Sequence, residues 1–108
     1  MANTFKLKTK ANVGVSTSNV YVVPSATTTV VIGVTLATTS GSSINVGVGV
    51  TRASTDDVKL MKNVPIPQGS SFEFMAGNKV VLETTDTLTA ESDVNNSLDV
   101  ALTIMEIT

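Results

Sequence analysis

The 108-residue chain has no cysteine, no histidine and no tryptophan. Without cysteine it forms no disulfide and no thiolate metal site. Without cysteine or histidine, the side chains that most often move protons or attack substrates near neutral pH are missing. Aromatic residues number only four, Phe5, Tyr21, Phe72 and Phe74, too few for a base- or sugar-stacking platform. Charged residues make up 15% of the chain, with seven basic and nine acidic side chains giving a net charge of −2. Apart from Lys6, Lys8 and Lys10 there is no basic cluster, which argues against a nucleic-acid partner. No segment approaches the roughly 18 apolar residues of a membrane-spanning helix. The start, Met1-Ala2-Asn3-Thr4-Phe5-Lys6, lacks the apolar run of a secretory signal, and Met1 argues that none has been removed.

What is present is threonine and valine, seventeen of each. Both are β-branched and favour strands. Apolar side chains recur with period two, and no stretch repeats with the period of an amphipathic helix. In Ile44-Asn45-Val46-Gly47-Val48-Gly49-Val50-Thr51, the branched residues share one face and Asn45, Gly47, Gly49 and Thr51 the other. The glycine face either meets a close neighbour or lies bare. Thr28 to Ala37 is a second long strand, and the polar run from Thr38 to Ser43 makes the two read as a long-looped hairpin. Ser97 to Ile107 is a third, with Leu98, Val100, Leu102 and Ile104 on one face and Met105 and Ile107 on the other.

Shorter alternating runs surround Phe5 and Leu7, Val20 to Val23, Val58 and Leu60, Phe72 and Phe74, Val80 to Glu83, and Leu88 and Ala90. The pair Phe72 and Phe74 reads as core, and a turn is expected at Ala76-Gly77-Asn78-Lys79. Pro65 and Pro67 cannot donate to a strand ladder, so their segment is an edge or a crossing between sheets, with Gly69 offering a turn. The fold expected is all-β, a single antiparallel β-sandwich of jelly-roll or immunoglobulin-like type with about eight or nine strands, and residues 1–108 form one domain.

No catalytic, cofactor-binding or metal-binding set emerges. The nine carboxylates fall mostly on the polar phase of strands or in turns, where solvated side chains are expected. Asp56-Asp57, and Asp93 with Asn95 and Asn96, could offer loop oxygens to a hard cation, but neither has calcium-loop spacing, and turn stabilisation explains both better. Gly47-Val48-Gly49 lies inside a strand with no following helix, so it is not a phosphate loop. The lysines of Lys6-Leu7-Lys8-Thr9-Lys10 fit the solvent face of an edge strand, where they deter unwanted strand addition. The interface candidates are Phe5, Lys6 and Lys8 in the N-terminal segment, Gly47 and Gly49 on the glycine face, and Pro65 and Pro67 on the proline edge.

Several stretches resemble a group of short structural proteins of tailed bacteriophages, especially phages of marine bacteria and cyanobacteria. They are Ala2 to Lys10, Thr28 to Val34, Pro65 to Ser71, Gly77 to Glu83 with Asp86-Thr87-Leu88, and Ser97 to Ile107. The resemblance implies a virion component assembled in the host cytoplasm, and brings no catalytic residues or cofactor. Its partners would be the major capsid protein or other virion proteins and further copies of itself, in a homo-oligomer or symmetric array, without membrane or nucleic acid. A capsid decoration or cement protein is the leading expectation. A neck, tail or baseplate-associated subunit is the alternative, followed by a host-surface carbohydrate-binding module and, last, a small hydrolase.

Overall fold

The structure, a computed structural model, describes residues 3–52, 57–74 and 80–108. Its nine described strands are β1 (Asn3–Val13), β2 (Ser18–Val22), β3 (Thr28–Thr38), β4 (Ile44–Thr51), β5 (Asp57–Ile66), β6 (Ser71–Phe74), β7 (Val80–Leu82), β8 (Thr87–Ser92) and β9 (Leu98–Ile107). They form two antiparallel sheets. The first runs β1-β9-β3-β6, with β7 taking the place beside β3 that β6 leaves free, and the second runs β2-β8-β4-β5. With β6 and β7 counted as one position, this is the strand order of an eight-position jelly roll, which settles the choice left open between jelly-roll and immunoglobulin-like sandwiches.

The expected β3–β4 hairpin is not formed. β3 pairs with β9, β6 and β7 in one sheet, whereas β4 pairs with β5 and β8 in the other. The polar run between them crosses from sheet to sheet, because each strand already has partners on both sides. The β4–β5 pair is the consecutive pair that does share a ladder. The proline segment is both things expected of it: β5 is the edge of its sheet, and a turn closed by the Ser70 N–H on the Pro67 carbonyl (3.1 Å) carries the chain across to β6. Gly69 sits in that turn at φ 74°, where a side chain would be strained.

The core lies between the sheets. From the first come Val31, Val34, Leu36, Leu98, Val100, Leu102 and Ile104, and from the second Ile44, Val46, Val48, Leu88 and Ala90. Phe72 corrects the sequence reading. It stands opposite Leu36 on the core side of the sheet, but at the sheet margin it keeps 36% of its surface exposed. The side chain of Phe74 and the turn at 76–79 lie outside the described residues.

Glycine in β4 is explained by crowding. A Cβ on Gly49 would sit 2.8 Å from the Val58 carbonyl oxygen and 3.3 Å from Lys59, and one on Gly47 would sit 3.3 Å from the Met61 carbonyl oxygen. Two register shifts along the β4–β5 ladder bring β5 this close. Gly49→Ala should therefore destabilise the fold by about 1–3 kcal/mol, since a backbone atom is in the way. Gly33→Ala, whose Cβ meets nothing within 4 Å, should stay within about 0.5 kcal/mol of the parent. Urea midpoints of the two variants check this, and equal losses would contradict the crowding account.

Candidate interaction surface

The two outer faces of the sandwich differ in chemistry. On the second sheet the outward positions are mostly polar, with Val22 of β2, 52% exposed, an exception at the edge. Lys59 and Glu91 form an ion pair at 2.6 Å, and side-chain atoms of both approach the glycines of β4. Thr89 donates to the Gly49 carbonyl at 3.2 Å. Gly47 and Gly49 are thus buried by their own chain.

The first sheet presents the opposite surface. Register places Phe5 beside Met105, Met105 beside Val30, and Val30 beside Val81, one apolar row across four strands. Phe5 is 70% exposed, Val81 58%, and Leu7, one pleat along from Phe5, 64%. The next rows are Leu7, Thr103 and Gly33, then Thr9, Ala101 and Thr35. Beside them Thr9, Ala11, Thr35, Ala37 and Ala101, together with Lys10, Asp99 and Val100, line a shallow hollow of about 230 Å³. Among the described outward positions of this sheet there is no lysine or arginine, and the carboxylates are Glu73 and Asp99. Three large apolar side chains, Phe5, Leu7 and Val81, exposed on one face make it the candidate interaction surface of this small sandwich.

The lysines of β1 are not on that face, which corrects the reading of them as a solvent face. Lys6, Lys8 and Lys10 stand opposite Ile104, Leu102 and Val100, so they take the inward phase at the open side of the sandwich. The Lys6 ammonium meets Glu106 at 2.8 Å, and the Lys8 ammonium lies 6.0 Å from the centre of the Tyr21 ring. Their alkyl stems cover the core margin between β1 and β2 while the heads reach water.

Glu106 is the second correction, because it is buried rather than solvated. It continues the inward phase of Leu98, Val100, Leu102 and Ile104. Tyr21, from the opposite sheet, donates its hydroxyl to Glu106 at 2.5 Å. The Tyr21 oxygen also lies 2.8 Å from the Thr29 hydroxyl, and with its own proton already given to Glu106 it accepts there. The Lys6 ammonium and then the Tyr21 hydroxyl hold the Glu106 carboxyl below the usual glutamate value. Burial, then the bond to Glu106, pushes Tyr21 up to about 12. This network ties β1, β2, β3 and β9 together and leaves no buried side-chain polar atom without a partner among the described residues.

Asp86 is likewise buried, not solvated. It accepts from the Glu83 N–H at 2.9 Å and pairs with Arg52, which also reaches Glu83. Of the candidate cation oxygens, Asp93 accepts from the Asn45 N–H of β4 at 3.0 Å and Asn95 from the Val15 N–H at 3.4 Å, so they tie their loop to distant segments rather than stabilising it locally. Asp56 lies outside the described residues. Among the described residues, no group of three or more His, Cys, Asp or Glu is placed to hold a metal, and no helix is long and apolar enough to cross a membrane. Of the sequence-derived interface candidates, Phe5 lies on the apolar face. Lys6 and Lys8 line the β1–β2 opening, Gly47 and Gly49 are covered, and Pro65 and Pro67 are exposed at the β5 edge and its turn. The signal that would have found the face is the outward phase of β9 and β3, where Met105, Ala101, Val30 and Ala37 replace the usual charges.

The chain matches no family model and no curated protein. It does match solved structures in fold. A chain from the Bacillus endospore appendages, described as a novel family of disulfide-linked pili, superposes with a TM-score of 0.60 at 11% identity, over 99% of this chain and 87% of that one. A chain from the acidic stable capsid structure of the Helicobacter pylori bacteriophage KHP30 superposes with a TM-score of 0.59 at 15% identity, over 100% of this chain and 94% of that one. At such identities the likeness is one of fold, and both similar chains come from assembled structures.

Proposed function

We propose that the chain acts as one domain with a non-enzymatic structural role in a tailed-phage virion, as a capsid decoration or cement protein seated on the outer shell. The observation that carries this is the outer face of the β1-β9-β3-β6 sheet, where Phe5, Leu7 and Val81 stand exposed and the described outward positions hold no cation, on a fold whose described buried carboxylates, Asp86 and Glu106, are engaged in structural bonds. The likeness to a phage capsid chain, and the resemblance to small phage structural proteins, support the virion setting. The partners are the major capsid protein or other virion proteins. A net charge of −2 and the lack of cations among the described outward positions of the face disfavour nucleic acid.

The pilus likeness favours a second reading, a ring or tube subunit of the neck, tail or baseplate. Having no cysteine, this chain would build any such array without disulfides. Quantitative mass spectrometry of purified particles separates the two. Copies on the order of hundreds per particle fit shell symmetry. A single ring's worth moves the protein to the neck or tail, and absence from particles overturns both.

A further inference from the structure

The outer face of the first sheet is graded in size along its strands. One end carries Phe5, Leu7, Val30 and Met105, and the other carries Thr9, Ala11, Ala37 and Ala101 around the hollow. We propose that this face packs against the same face of a second copy, related by a two-fold axis lying in the interface and perpendicular to the strands. This rests on reading the face as an assembly surface, and it names a second copy as the partner there, so that contacts with the shell fall on other surfaces of the dimer.

Such an axis, passing over the middle of β1, carries Phe5 onto Ala11 and Leu7 onto Thr9. Bulky side chains of each copy then fill the hollow of the other, which makes the face complementary to itself, as an isologous interface requires. The hollow, at about 230 Å³, is below the size of a small-molecule site and suits one or two side chains. Four strand positions about 4.8 Å apart and roughly 33 Å long give on the order of 600 Å² per partner, at the lower end of standard interfaces, which bury ~600–1,000 Å² a side. Sheets stacked face to face at ~10 Å and about −30° are an ordinary packing. Asp99 lies at the small end of the face with its Oδ1 accepting the Asn12 N–H at 3.1 Å, so the two-fold keeps the two Asp99 carboxylates at opposite ends. Pairing through the free edge of β1 is disfavoured, since an added strand would lie beside three inward-pointing lysines.

Sedimentation of the purified chain at roughly 50 µM, above the micromolar Kd expected at the weak end of this interface size, should show a dimer. Leu7→Glu should weaken it at least tenfold while melting like the parent at dilutions where both are monomeric, because Leu7 is exposed in the single chain. The absence of native cysteine allows a geometric check. Mixed Phe5→Cys and Ala11→Cys chains, whose facing backbones lie ~10 Å apart and so are too distant for a direct disulfide, should be joined into a heterodimer by a short bis-maleimide cross-linker, and Phe5→Cys alone should not link to itself. A monomeric parent, a dimer untouched by folded Leu7→Glu, or Phe5→Cys self-linkage overturns the inference. A dimer in solution from a chain absent from particles sustains the inference and removes the virion reading. A monomer abundant on particles does the reverse.

Discussion

Removing residues 97–108 is expected to leave no soluble folded protein. β9 lies between β1 and β3, so its loss unpairs both neighbours. It also removes Leu98, Val100, Leu102 and Ile104, each at most 2% exposed. At about 1.5–3 kcal/mol per fully buried aliphatic side chain, the four contribute roughly 6–12 kcal/mol, comparable with the whole stability of a domain of this size. A single Leu102→Ala, by contrast, should fold with a loss of about 2–5 kcal/mol. Soluble yield and circular dichroism of the truncated chain check the first statement. A truncated protein with the parent's melting curve would refute the central placement of β9.

The second large effect belongs to Glu106. Glu106→Ala leaves the Tyr21 hydroxyl without its acceptor in a buried position, at about 1–3 kcal/mol, whereas the part-exposed Lys6 ammonium turns to water. For a domain of this size each kcal/mol lowers Tm by about 4–8 °C. Combining Glu106→Leu with Tyr21→Phe and Thr29→Val should recover most of the loss, because the buried polar partners leave together, whereas the double change alone strands the buried Thr29 hydroxyl. The pH dependence has two arms. Glu106 titrates lower when folded, so its contribution is complete above the ordinary glutamate value of 4.5 and is lost as the pH falls below it. Tyr21 titrates higher when folded, so its contribution is complete below 10 and disappears as the pH rises towards about 12. Facing this pair are Lys6 and Lys8 of β1 and the Thr29 hydroxyl of β3. Melting curves of Glu106→Gln should be flatter than the parent's in acid. An unchanged acid slope would show that Glu106 does not set it.

Most of the fold was legible because β-branched residues alternate so regularly. Leu98, Val100, Leu102 and Ile104 announced a buried strand, and the proline segment announced an edge and a crossing. What alternation does not encode is which strands pair. β3 and β4 are neighbours in sequence and partners of other strands in space, since jelly-roll pairing is set by the joint burial of both sheets rather than by loop composition. Glu106 escaped for a related reason. It sits in phase with four core aliphatics, but its acceptable burial depends on Tyr21 and Lys6, which are 85 and 100 residues away. The apolar face escaped because Phe5 and Leu7 alternate with lysines. That pattern normally means apolar in and polar out, and here the edge strand inverts it.

The ladder that sets Asn3 against Ile107, with Thr28 also beside Ile107, has a consequence in time. β1 is the first strand to be synthesised, yet its partner is the last. At roughly 5–20 residues per second the earliest strand waits some 5–20 s for its neighbour, longer than the milliseconds to seconds in which a sandwich of this size folds once complete. During that interval Phe5 and Leu7 stand in solvent beside an unpaired backbone, and the three interspersed lysines keep that nascent segment from aggregating.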